Sequence, residues 1–160
     1  MNRRYLPIYL NDHLAAATGA RELVRRAAGS NGRTRYGTFL KRLAREIDED
    51  RETLLALMRD LDVGVDHAKV AAGWAAEKAG RLKLNGQLLS YSPLSRVVEL
   101  EALALGVRGK LGLWLALEAL SPDEPVLADA GLPALAARAE RQLAGLEEHR
   151  VRAVRDALAG

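Results

Sequence analysis

This sequence predicts an all-α protein of long amphipathic helices packed as a bundle, and three observations carry that reading. Ala, Leu, Arg and Glu dominate while aromatic residues are only 4%, and straight-chain side chains lose little rotamer freedom in a helix. Apolar residues recur at helical rather than alternating spacing over stretches of about twenty residues or more. The breaks between these stretches carry helix stop and start chemistry, Gly29-Ser30-Asn31-Gly32 and Ser92-Pro93 among them. Residues 1–160 are expected to form a single helical-bundle domain around one core.

The first helix is expected over about residues 8–28, with Leu10, Leu14, Ala17, Val24 and Ala28 on its apolar stripe. Glycine and asparagine, which tolerate the left-handed conformation of a helix end, stop it at 29–32. The second spans about 34–61 and places Tyr36, Phe39, Leu43, Ile47, Leu54, Leu57, Met58 and Leu61 on one face; Val63-Gly64 closes it. Residues 66–84, Ala- and Gly-rich around Trp74, read as a connecting helix ending at Asn85-Gly86. That dipeptide would otherwise turn a hairpin between Leu82-Lys83-Leu84 and Gln87-Leu88-Leu89, which lacks a supporting third strand.

The third helix starts at Ser92-Pro93, a cap residue followed by the imino acid favoured in the first turn, and reaches about Leu120. Ser121-Pro122-Asp123-Glu124 repeats the start signal with capping-box spacing, so a short helix is expected before Gly131-Leu132-Pro133. The fourth long helix covers about 132–158. The third is nearly apolar all round: Val98, Ala102, Leu105, Leu113, Ala116 and Leu120 line a second face. A homo-oligomer, a homodimer in the simplest case, is therefore expected through it.

Composition excludes several function classes. The best candidate for a membrane span, 102–117, is interrupted by Arg108 and Lys110, and the start of the chain lacks a secretory signal, so a cytoplasmic location and no membrane association are expected. No cysteine is present, which removes disulfides, thiolate metal sites and a thiol nucleophile. No hydrolase triad, phosphate loop or dinucleotide fingerprint occurs. Net charge is +3 but uneven, because residues 1–45 hold ten Arg or Lys against Asp12 and Glu22. A basic region through Arg25, Arg26, Arg33, Arg35, Lys41, Arg42 and Arg45 would meet nucleic acid in a salt-dependent way, but no aromatic platform or recognition-helix motif accompanies it.

Polar residues in the middle of apolar stripes are the candidate functional groups, since burying them costs several kcal/mol unless partners exist. His13 projects near the centre of the first stripe and Asp50 falls between Ile47 and Leu54 on the second. Arg150 projects among Leu143, Leu146, Val154 and Ala157 on the fourth. One network joins them: an Asp50–Arg150 ion pair across the bundle with His13 nearby and Glu147 one turn from Arg150. The alternative is that each lies at a stripe edge and reaches water. His67, at a helix start, and His149, at a stripe edge, carry less weight.

Ala15-Ala16-Ala17-Thr18-Gly19-Ala20-Arg21 resembles the first-helix motif of rubrerythrins, with Ala17 where the metal-binding Glu would stand. Leu57-Met58-Arg59-Asp60-Leu61 sets a register that brings Asp50 to the next Glu and Thr53 to the His. Ala104-Leu105-Gly106-Val107 brings Val107 to the third Glu, and Glu147-Glu148-His149-Arg150 offers Glu-x-x-Arg for Glu-x-x-His. The layout thus resembles the ferritin-like superfamily: an up-down four-helix bundle with one long crossover, here containing an extra helix. The resemblance implies a dinuclear metal site whose positions have become Ala17, Asp50, Thr53, Val107, Glu147 and Arg150. Two carboxylates and the histidines are lost, so no metal and no cofactor are expected. A shifted register would recruit Asp12, His13, Glu46, Glu49, Glu99, Glu101 or Glu118, although Glu49 and Glu99 project away from the main stripes.

The expected function is that of a metal-free, non-enzymatic bundle acting by association with itself or another protein. The alternatives are a ferritin-like metal-dependent oxidoreductase or metal store, and nucleic-acid binding by the basic third. No residue pattern identifies a substrate, a catalytic residue or a protein partner.

Overall fold

The computed structural model of the chain describes residues 3–72 and 91–159. Among these, every regular element is a helix: α1 (Leu6–Ser30), α2 (Gly37–Asp60), α3 (Pro93–Leu120) and α4 (Leu132–Leu158), with a 3-10 turn (Ser121–Asp123) and a one-turn helix (Pro125–Ala128) between the last two. Residues 67–72 are also helical, which agrees with the start of the expected connecting helix. Trp74, the Asn85-Gly86 turn and the alternative hairpin fall outside the described residues.

Local chemistry sets the boundaries. Asn31 ends α1, its backbone N–H and its side-chain amide both donating to the Ala27 carbonyl. Its φ is −108°, so the expected left-handed stop does not form; the side chain satisfies the last turn instead. At the end of α2, Asp62 rather than Gly64 takes the left-handed conformation, φ 57°. Val63 N–H then reaches Met58 O at 2.8 Å and Asp62 N–H reaches Arg59 O at 3.0 Å, the paired bonds of a Schellman end. Ser92 caps α3 as expected, accepting from Ser95 N–H at 3.1 Å. Ser121, expected to begin a capping box, instead donates its hydroxyl to Glu118 O at 2.7 Å and closes α3.

Cross-helix pairs give the directions. Arg21 and Arg25 on α1 both meet Asp48, while Thr18 meets Arg51, so α1 and α2 are antiparallel. Arg26 pairs with Glu99, and Ala20 lies against Gly106, making α3 antiparallel to α1. Lys110 meets Gln142 and Glu101 meets Arg150, making α4 antiparallel to α3. Helices α2 and α3 therefore run the same way, and the chain joining them must travel the length of the bundle.

Two asparagines anchor that connection about 30 Å apart along α1. Asn11 donates to Gly64 O and accepts from Asp66 N–H. Asn31 donates to the Tyr91 hydroxyl and accepts from Arg96. Both are nearly inaccessible, 5% and 0%.

The core follows the expected stripes of α1 and α2, with all eight residues named on the second helix buried. Two expectations fail. The buried face of α4 runs through Leu135, Ala136, Ala139, Gln142, Leu146 and Ala153, because alanines carry much of it and a leucine-weighted projection rotates the centre; Arg150 is left at the edge. On α3, Leu113 is 2% exposed and Leu120 packs against the core, so the outer face is narrower than expected. No described helix is long and apolar enough to cross a membrane.

Candidate functional site

Small side chains face one another across the middle of the bundle. Ala16, Ala17 and Ala20 on α1 look toward Gly106 on α3, leaving a cavity of about 400 Å³ floored by Ile47 and Leu54 of α2 and edged by the exposed Leu105 and Gly109. That volume falls in the range of small-molecule sites, roughly 300–1,000 Å³. Tyr9 and His13 lie on the same wall, ring against ring with centroids 4.6 Å apart. Burial lowers the His13 pKa below its ordinary value of 6.5, with Asp12 partly opposing, and raises that of Tyr9.

Asp50 and Lys110 supply the polar part of the inner wall. Asp50 sits on the core face of α2, three residues after Ile47 and four before Leu54, and its side chain is 2% exposed. Lys110 follows Val107 by three residues and Leu103 by seven, which brings it to the core side of α3. Its ammonium donates to Asp50 and, at 2.5 Å, to the side-chain oxygen of Gln142. Arg138 closes on the other Asp50 oxygen as an ion contact without hydrogen-bond alignment, and donates to Glu49 at 2.9 Å. Gln142 in turn donates to Glu46 at 2.9 Å. Burial pushes the Lys110 pKa down, and the Asp50 carboxylate beside it works in the opposite direction. Trp114 also borders the cavity; its indole N–H is buried without a hydrogen-bond partner among the described residues.

His13, Asp50, Ala17 and Val107 are thus brought together around one space. Thr53, Glu147 and Arg150 are not. Thr53 donates to Glu49 O of its own helix at 2.9 Å. Arg150 pairs with Glu147 at 2.7 and 2.8 Å and approaches Glu101 at 3.7 Å, on the outer seam of α3 and α4. The expected Asp50–Arg150 pair does not form because α2 and α4 are antiparallel in a register that stacks Phe39 on His149 and sets Asp50 against Arg138. Arg150 is then displaced about 18 Å along α4 from the level of Asp50. His13 belongs to the cavity wall, and its ring contact is with Tyr9 rather than with the Asp50 cluster.

No family model, curated protein or solved structure matches this chain.

Other sequence candidates find different employment. Glu99, expected to project outward, is 9% exposed and binds Arg26 and the Tyr91 hydroxyl. Within the basic region, Arg25, Arg26, Arg35 and Arg42 are answered by Asp48, Glu99, Asp156 and Glu46. No three His, Asp or Glu side chains among the described residues are grouped as metal ligands. Lys110, Arg138 and Gln142 escaped the sequence reading. Lys110 has core-face spacing but also interrupts an apolar run, which hides it; Gln142 sits at spacing three from Ala139 and four from Leu146.

Proposed function

We propose that this chain is a ligand-binding helical bundle of ferritin-like design, without a resident metal, whose central cavity holds one small, mainly apolar molecule. The observation that carries this reading is the roughly 400 Å³ space between α1 and α3, bordered by the buried Asp50–Lys110 pair. The helix directions, with α2 and α3 parallel across one long crossover, support the ferritin-like design. The donor set does not suit a metal pair. Ala17 and Val107 offer no ligand atoms, and Asp50 already faces the cations Lys110 and Arg138.

The test is titration with N-phenyl-1-naphthylamine, a neutral probe that brightens in apolar surroundings. One probe per chain is expected to bind saturably, and Ala17→Leu, which fills the cavity, is expected to weaken it by about tenfold or more. Absence of saturable binding, or wild-type affinity retained in both Ala17→Leu and Ala20→Leu, overturns the reading.

A second reading, self-association through the outer face of α3, rests on the exposure of that face, which shares Leu105 and Gly109 with the lining of the cavity. Leu105 is 76% and Val98 41% exposed, and a Cβ added at Gly109 or Gly112 would meet none of the described residues within 4 Å.

A further inference from the structure

The charges around the cavity are already matched. Asp12 at the rim pairs with Lys69 at 2.7 Å, and Arg51 pairs with Glu52 at 2.9 Å. Farther in, Lys110 and Arg138 are offset by Asp50 and Glu49. A ligand bringing a net charge would add an unmatched ion to an apolar space, where desolvation costs several kcal/mol.

Hydrogen-bonding capacity is less evenly matched. A lysine ammonium has three donors and no acceptor. Two of those on Lys110 are taken by Asp50 and Gln142, and the third has no acceptor among the described residues. In the carboxylate beside it, Oδ2 accepts from Lys110 and Gln142, while Oδ1 faces Arg138 in an ion contact without a hydrogen bond. Among the described residues the cavity wall thus carries two donors without acceptors, the charged third N–H of Lys110 and the neutral indole N–H of Trp114, while Asp50 Oδ1 already faces the Arg138 cation.

Resting on the cavity reading above, we infer that the ligand is an uncharged apolar molecule bearing one acceptor oxygen, a ketone, ester or similar group, which takes the third N–H of Lys110. The alanines and glycines of α1 and α3 surround its hydrocarbon part. Lys110 selects for the oxygen through a charge-assisted hydrogen bond, the stronger class of such bonds. Selection against carboxylates and amines follows from the matched charges.

The experiment displaces N-phenyl-1-naphthylamine from the full chain with 2-octanone, octanoate and octylammonium. The expected order is 2-octanone tightest, with each charged analogue weaker by about a hundredfold. Lys110→Met, which leaves Asp50 neutralised by Arg138, should weaken 2-octanone about tenfold more than it weakens the naphthylamine probe, which brings no acceptor oxygen. Octanoate or octylammonium binding as well as 2-octanone overturns the inference in wild-type protein alone, whatever the variant's folding. Unchanged 2-octanone affinity in a folded Lys110→Met protein that still takes the probe overturns it too. If the probe itself does not bind wild-type protein, the cavity reading fails first.

Discussion

Asp50 joins three helices through one carboxylate, because Lys110 reaches it from α3 and Arg138 from α4. Its role is asymmetric with theirs. Removing the anion leaves two cations facing each other in the interior, whereas removing Lys110 leaves Asp50 neutralised by Arg138. Asp50→Ala is therefore expected to cost about 3–5 kcal/mol of stability. Lys110→Met, which keeps the side-chain stem volume, should cost about 1 kcal/mol or less. Urea unfolding of both variants checks the difference; equal losses would show that the Asp50–Arg138 contact does not sustain the cluster. The sequence exposed Asp50 because a carboxylate interrupts a clean apolar stripe. It hid Lys110 because a lysine in a helix that is apolar all round has no single stripe to interrupt.

The turn between α1 and α2 is organised by close backbone approach. A Cβ on Gly37 would lie 2.8 Å from Asn31 O and 3.0 Å from Gly32 O, and neither carbonyl can swing aside as a side chain would. Gly37→Ala is expected to lose about 1–3 kcal/mol through overpacking, despite the better helix propensity of alanine. Gly109→Ala on α3, where the added methyl meets nothing within 4 Å, should instead gain about 0.5–1 kcal/mol. Thermal unfolding of the two variants should move in opposite directions, and a stabilised Gly37→Ala would contradict the packing of this turn. Elements of this kind divide what is legible in a sequence from what is not. Long helices follow from periodicity that the chain carries locally, and Ser92-Pro93 marks its own boundary. The anchoring of the crossover by Asn11 and Asn31 was not legible, since each side chain reaches a residue more than fifty positions away. The cavity was partly legible: the register that aligned Ala17, Asp50 and Val107 brought three of its wall residues together. The same reading misplaced Arg150, because the rotation of α4 depends on alanines whose weak hydrophobicity scarcely shifts a projected moment.

At the scale of the whole molecule, the outer face of α3 has a shape that invites a second copy. Val98, Ala102, Leu105, Gly109, Gly112 and Ala116 recur at spacings of three and four, and Leu105 projects beside a notch where two glycines carry no side chain. A two-fold axis crossing this helix would seat Leu105 of each protomer in the notch of the other, and a self-complementary patch is what an isologous dimer requires. The exposed glycines add a thermodynamic argument. Each weakens the helix by about 0.5–1 kcal/mol relative to alanine, and among the described residues none packs closely enough to offset that loss. Close approach of a second backbone would offset it. Sedimentation velocity over a concentration series is expected to show a dimer in the wild-type protein. Leu105→Glu should shift it to monomer by placing charge at the contact, and Gly112→Leu should do so by filling the notch. Leu105 lies outside the protomer's core, so Leu105→Glu should leave the unfolding transition of the monomer close to its wild-type position, while Gly112→Leu should raise it slightly by removing a glycine from the helix interior. A wild-type protein that sediments as a monomer at every concentration would remove self-association and leave the cavity reading standing, because the cavity is built entirely from one chain.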